Sequence, residues 1–401
     1  MKLTAIIGKN FGDEGKGLAV DFFSEAAQKN GERCLIVRHN GGAQAGHTVE
    51  LPDKRFVFHQ LSSGSLRGGD TLWADTFLPD LFKLRGEVSD FFDTEGFVPK
   101  IYGFVSCRCV IIDDVLINMA LESSRGKNRH GSCGMGINEC VLRSQAGYAL
   151  TLDRPLSLSC EELYHELRRI RREYVPVRLR ELSLSKKDTG EYGELLDNDN
   201  VLYNAAEEMK KSERFITPVN KPPVSYERII FEGAQGLLLD EMNEDFAPHL
   251  TSSRTGLFNP KSFSHSFFPS SDIDAVYVTR SYVTRHGAGP LPYESMFKKE
   301  LFSISDKTNI PNEWQGSLRF APHGTPCEFS EPVKKDISEY TGTVTPFLLI
   351  THLNETHGAI CTHKGNIPLS CFWDSYDIRD IFKTIKISSS PFSEGIQNIN
   401  L

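Results

Sequence analysis

Residues 12–17 read GDEGKG: three glycines, two acids and one lysine between two apolar runs. A glycine turn presents backbone N–H groups to an anion, and a following helix adds the positive end of its dipole. Lys16 can then set an ammonium on a phosphate oxygen. The spacing is not GxxxxGK(S/T): four residues between the glycines are absent, and Gly17 stands where that pattern has a hydroxyl. A magnesium ligand must come from another position, and Asp13 lies within the loop. Spacing alone leaves a phosphate loop and an ordinary glycine turn both open. RHNGGAQAGHT, residues 38–48, supplies a second glycine cluster ending in His47, either a structural histidine or one facing a ligand. FEGAQG (231–236) and HLTSSRTG (249–256) add an amide and hydroxyls, groups able to read a purine edge.

These stretches need elements to hold them. Apolar runs stand at 3–8 (LTAIIG), 33–37 (RCLIV), 228–233 (RIIFEG), 274–279 (DAVYVT) and 346–351 (PFLLIT). Continuous apolar runs without alternation predict strands buried on both faces, as in a parallel sheet. Each runs directly into polar, mostly glycine-bearing sequence, and open α/β sheets bind ligands beyond the carboxyl ends of their strands. Five strands delivering five polar loops to one sheet edge predict an α/β enzyme with a mostly parallel central sheet and flanking helices. Residues 160–174 carry Leu163, Leu167, Ile170 and Tyr174 at helical spacing. The four arginines of that helix, 168, 169, 171 and 172, read as a solvated face paired with Glu161, Glu162, Glu166 and Glu173. Residues 185–224 are polar, charged and proline-bearing and read as a surface excursion. One domain over 1–401 is expected, with a helical and polar excursion at about 155–224.

The net charge of −8 disfavours a nucleic-acid surface, which calls for a basic balance. No run approaches the roughly 18 apolar residues of a membrane span, and no signal peptide is evident. The nine cysteines form no CxxC pair, so reduced thiols in a cytoplasmic protein are expected.

GDEGKG, NGGAQAGHT, HQLSSGSL (59–66), FEGAQGLLLDE (231–241), LTSSRT (250–255) and TRSYVTRHGAGPLPYE (279–294) together resemble adenylosuccinate synthetase. The family's stretches read roughly WGDEGKGK, QGGNNAGHT, HLLPSG, FEGAQG, VTSSNT and TTRVGxGPFPTE, in the same order. The resemblance implies a P-loop-NTPase-like phosphate loop and a homodimer. It also implies a GTP-dependent ligase joining L-aspartate to C6 of inosine monophosphate. By this match Asp13 is the base that takes the N1 proton, and a magnesium ligand with the Gly46 carbonyl. His47 is the general acid, and Lys16 offsets charge on the transferring group. Gly12, Glu14, Gly15, Lys16, Gly17, His47 and Thr48 would hold the triphosphate's phosphates. Asp13, Gln44, Ser132, Cys133, Arg143, Gln235 and Thr251 would hold the monophosphate. Gln44 stands for a family asparagine, and Ser132 and Cys133 for two threonines. An arginine near position 143 reaches the partner's nucleotide in the family; the alternative for Arg143 is a plain surface residue.

Three departures follow. The family's arginine-dense amino-acid loop is NEWQGSLRFAPHG (312–324), with Arg319 its only arginine. One bidentate pair holds one carboxylate, and Arg280 or Arg285 is then needed for the other. The family's guanine-reading TKLD is THLN, His352 and Asn354 included, so relaxed GTP preference with ATP as donor is expected. Glu355 as a substitute acid is the alternative. SVGPDR becomes SSSPFS, leaving Ser388, Ser390 and Pro391 to border the base. The retained Asp13 favours an inosine-type substrate. A phosphotransferase or NTPase, a nucleotide sensor, and a ligase with another amino donor or purine are the competing readings.

Overall fold

The computed structural model describes residues 1–126, 129, 134–269, 271–304, 316–340 and 342–399. Ten strands form the main sheet: β1 (Lys2–Gly8), β2 (Cys34–Arg38), β3 (Asp70–Trp73), β4 (Ile101–Phe104), β5 (Ile216–Val219), β6 (Arg228–Gly236), β7 (Ile273–Arg280), β8 (Val344–Thr351), β9 (Thr384–Ser388) and β10 (Ile396–Ile399). Their order is β10-β9-β8-β7-β1-β6-β2-β3-β4-β5. Every pairing is parallel except β9 with β10. The five strands expected from apolar runs are the contiguous centre, β8-β7-β1-β6-β2. Their continuity follows from burial on both faces. Leu3, Ala5 and Ile7 of β1 pack into the larger core, whereas Ile6 joins Ile36, Ile230, Val276 and Leu349 beneath helix α1 (Lys16–Lys29).

Residues 185–224 require a correction. They contain helices at Lys186–Leu196 and Asp199–Ser212, then β5, which closes one edge of the sheet. Leu202, Ala206 and Met209 of the second helix lie in the core. The helix at Cys160–Glu181 buries Leu163, Leu167, Ile170 and Tyr174 as its spacing predicts. Arg169 pairs with Glu166 and Glu173 on its solvated side, but Arg171 turns inward to Asp113.

The eight described cysteines are free thiols. Among the described residues, no helix is long and apolar enough to cross a membrane.

Candidate functional site

The loop between β1 and α1 lies at the middle of the sheet's carboxyl edge. Gly12 and Gly15 take φ of +106° and +95°, and Asp13 enters the left-handed region at +58°. Gln235 and His352 do the same at +57° and +59°. These three non-glycine residues line one cleft of about 1390 Å³. Strained backbone of this kind persists where the surroundings over-determine it, characteristically at functional sites. A Cβ on Gly17 would lie 2.6 Å from the Thr48 carbonyl oxygen. Close packing of α1 on the strand His47–Leu51 therefore excludes a hydroxyl residue there. The first turn of α1 has neither a side-chain cap nor an acidic residue. Its N–H groups stay available to an anion beside Lys16, which lines the cleft. Glu14 instead points into the protein: it accepts from the Asn10 N–H at 2.5 Å and lies 3.7 Å from Lys16 Nζ.

His47 Nδ1 lies 2.6 Å from Glu232 Oε1, and the Ser63 hydroxyl donates to that same oxygen. The register of β2 on β6 sets Arg38 beside Glu232, with Nε 3.9 Å from Oε2. Burial opposes ionisation of Glu232, but His47, Arg38 and Ser63 outweigh it and hold the carboxyl at about 2. Burial also lowers the His47 pKa, against the pull of Glu232. The carboxylate fixes a proton on Nδ1 and leaves Nε2 buried without a protein partner, on a residue that lines the cleft. Sequence reasoning missed Glu232, although an acid at the end of a buried strand was its signal.

Gln44, Gln235 and Thr251 line the same cleft, and the side-chain oxygens of both glutamines are buried with no protein partner. Ser132 and Cys133 lie outside the described residues. Arg143 is not brought to the cleft and is not a surface residue. It is fully buried, donates through Nε and Nη2 to Asp114 at 2.9 Å each, and reaches the Tyr148 and Cys109 carbonyls. Asn118, Glu122 and Arg125, from the helix Ile112–Arg125, occupy that wall of the cleft.

At the far end stand His352, Asn354, Glu355, Ser390 and Pro391. Asn354 is exposed, whereas Glu355 is buried and accepts from the Tyr282 hydroxyl. Arg280 Nη1 donates to Tyr282 Oη at 2.9 Å and its Nε donates to the Asp13 carbonyl. A hydrogen-bonded line thus joins Glu355 to the backbone of Asp13. Ser388 is buried behind the cleft, its hydroxyl donating to the Ser390 carbonyl.

Arg319, expected to hold an amino-acid carboxylate, does not line the cleft. It forms a bidentate pair with Glu294 at 2.9 and 2.8 Å and donates to the Gly287 and Gly289 carbonyls. Arg280 and Arg285 do line it, and Arg285 Nε has no protein partner. His286, which stands where the family motif has valine, lies 3.3 Å from the Asp13 carboxylate. It too escaped the sequence reading.

Magnesium fits the donor set. Asp13 and Gly46 offer hard oxygens on the cleft wall, and magnesium ordinarily keeps waters and substrate phosphates around one or two protein ligands. Among the described residues no group of three or more His, Cys, Asp or Glu could hold a metal alone.

Comparison with known proteins adds the lineage. Residues 5–312 match the family model described as adenylosuccinate synthetase. The chain is 29% identical to the adenylosuccinate synthetase of Bdellovibrio bacteriovorus, over 73% of this chain and 66% of that one. With the Petrotoga mobilis protein of that name it shares 30%, over 76% and 69%. The match spans slightly under two thirds of the first relatives, at 66% and 64% of their lengths. In fold, it resembles the fully ligated adenylosuccinate synthetase of Plasmodium falciparum, with TM-score 0.68, 16% identity and full coverage of both chains. It also resembles a cyanophage S-2L succinoaminodeoxyadenylate synthetase solved with dGMP and dATP as energy donor. That match has TM-score 0.63 and 12% identity, covering 100% of this chain and 96% of that one.

Proposed function

The chain belongs to the adenylosuccinate synthetase family, and from that premise we propose that it is a purine nucleotide ligase. It joins L-aspartate to C6 of a 6-oxopurine monophosphate, converting inosine monophosphate to adenylosuccinate at the expense of GTP or ATP. The carrying observation is that Asp13, Lys16, His47, Gln44 and Gln235 line one cleft, with His47 Nε2 and both glutamine oxygens lacking protein partners.

Asp13 takes the N1 proton, and the electrons move to O6. O6 attacks the γ-phosphorus as the β–γ bridging oxygen leaves with the diphosphate. His47, favoured in its protonated form by Glu232 once the polyphosphate is bound, gives its Nε2 proton to that oxygen. Lys16 and the α1 N-terminus offset the phosphoryl charge. The aspartate amine then displaces phosphate from C6. Positioned acids and bases contribute about 10²–10⁴-fold each, and positioning with charge stabilisation dominates phosphoryl transfer. Magnesium, bound by Asp13 and the Gly46 carbonyl, would supply neutralisation of the β- and γ-phosphate oxygens. Arg280 and Arg285 are better placed than Arg319 to receive the aspartate carboxylates, because Arg319 is committed to Glu294. The reading carries with it a homodimer of a cytoplasmic, single-domain protein acting on small molecules.

A second reading has two observations behind it. Asn354 stands where the family has its guanine-reading acid, and the cyanophage protein was solved bound to dGMP and to dATP as an energy donor. It is a ligase driven by ATP on a different purine monophosphate. One matrix separates the two: inosine and guanosine monophosphates, GTP and ATP, with and without aspartate, read by phosphate release and product mass. Product of the adenylosuccinate mass only with inosine monophosphate supports the first reading. Phosphate release without an amino acid would replace both with a phosphotransferase or NTPase.

A further inference from the structure

A second cavity, of about 570 Å³, lies behind the phosphate loop and shares only Phe11 with the cleft. That volume is within the range of small-molecule sites. Its walls are apolar, with Phe11, Leu237, Phe246, Val283, Leu291 and Phe329 among them. Lys9 lines it although only 1% of the residue is exposed. Lys9 Nζ sits 3.6 Å over the Phe329 ring, and its one hydrogen bond among the described residues is a long 3.4 Å contact to Asn10 Oδ1. Burial lowers the Lys9 pKa to about 7, with Glu14 acting against that from a distance. A buried amine without an ion pair among the described residues is costly unless it serves something. The opposite sign gathers at the exposed part of the lining, at Asp245, Glu328, Glu331 and Glu339, against the ammonium of Lys335. Glu331 lies 3.7 Å from Lys334 and Glu328 accepts from the Tyr293 hydroxyl, which leaves Asp245 and Glu339 to meet a cation. Arg254 does not alter that balance, being paired with Asp240 at 3.0 Å.

From this layout we infer that the cavity binds a small zwitterion with an apolar side chain, of the class of a neutral aromatic or branched amino acid. Its carboxylate meets Lys9 on the floor, its side chain fills the aromatic walls, and its ammonium faces the carboxylates at the mouth. L-Aspartate is a poor fit, because its side chain would set a second carboxylate against the apolar walls that the proposed side chain fills. The site therefore differs from the amino-acid subsite of the ligase reading and does not depend on that reading. Lys9, Asn10 and Phe11 lead directly into Gly12 and Asp13, so an occupant touches the base of the catalytic loop.

The test is calorimetric titration of the full chain with L-phenylalanine and L-leucine. 3-Phenylpropionate and 2-phenylethylamine, each lacking one charge, are the controls. Saturable one-to-one binding is expected, weakened at least about tenfold in either control. The same loss is expected in Lys9→Met and in Leu238→Trp, which fills the cavity from another wall. Saturating inosine monophosphate and GTP should leave the binding in place. The inference fails if neither amino acid binds, if both variants bind as the wild type does, or if the nucleotides compete. Should Lys9→Met not fold, Leu238→Trp decides alone.

Discussion

Asp13 Oδ2 and His286 Nε2 stand 3.3 Å apart at the cleft wall, so the proposed base has a ring nitrogen as neighbour on the side facing the site. Asp13→Asn should lower kcat by about 10²–10⁴-fold with an unchanged melting temperature, since the side chain is not part of the core. His286→Val, which restores the family motif, should lower kcat by about tenfold and spare the triphosphate KM. Steady-state kinetics check both. Normal turnover in Asp13→Asn would remove the base.

Glu232→Gln should be costly twice over. It leaves Arg38 buried without its carboxylate, a loss of about 3–5 kcal/mol, and it frees the His47 ring. The folded-state pKa is depressed, so the stabilisation is present above about 4.5 and is lost as pH falls towards about 2. Urea unfolding of the wild type should therefore weaken across that window, and the variant should lack this part of the decline.

The wild type should prefer GTP over ATP by less than about a hundredfold, or 2.7 kcal/mol. Asn354 is neutral and exposed, and Glu355 beside it is occupied by Tyr282. Asn354→Asp should raise the GTP preference by at least about tenfold in kcat/KM. An unchanged ratio would show that the base is read elsewhere.

Tyr282→Phe cuts the line from Glu355 through Arg280 to the Asp13 carbonyl. An unpaired buried polar group costs about 1–3 kcal/mol. A drop of about tenfold in kcat/KM is expected, together with a changed ratio between GTP and ATP. A uniform drop for both donors would mean that the hydroxyl serves only local packing.

The central strands were legible because β1, β2, β6, β7 and β8 are buried on both faces and read as unbroken apolar runs. The outer strands lack that signal. β4 contains Gly103, β5 contains Pro218, and each has only four residues. β5 also follows a charged helix whose buried stripe of Leu202, Ala206 and Met209 is diluted by lysines and glutamates. In the cleft, Asp13, Lys16, Gln44 and His47 were legible as neighbours because their glycine-bearing loops follow central strands, while the roles expected of them came from the family resemblance. Glu232 and His286 meet His47 and Asp13 from other strands and loops; an acid at the end of a buried strand marks Glu232 as a candidate, but no local pattern names the partner of either residue. Arg143 and Arg319 show the converse limit: an arginine in the expected stretch can be claimed by Asp114 or Glu294 before any ligand arrives.

Arg143 turned inward changes what a second protomer is needed for. With its guanidinium clamped to Asp114, it cannot reach out to finish a neighbour's pocket. Arg143→Ala should therefore lower the folding stability, by leaving Asp114 buried without its partner, and leave the dependence of turnover on enzyme concentration unchanged.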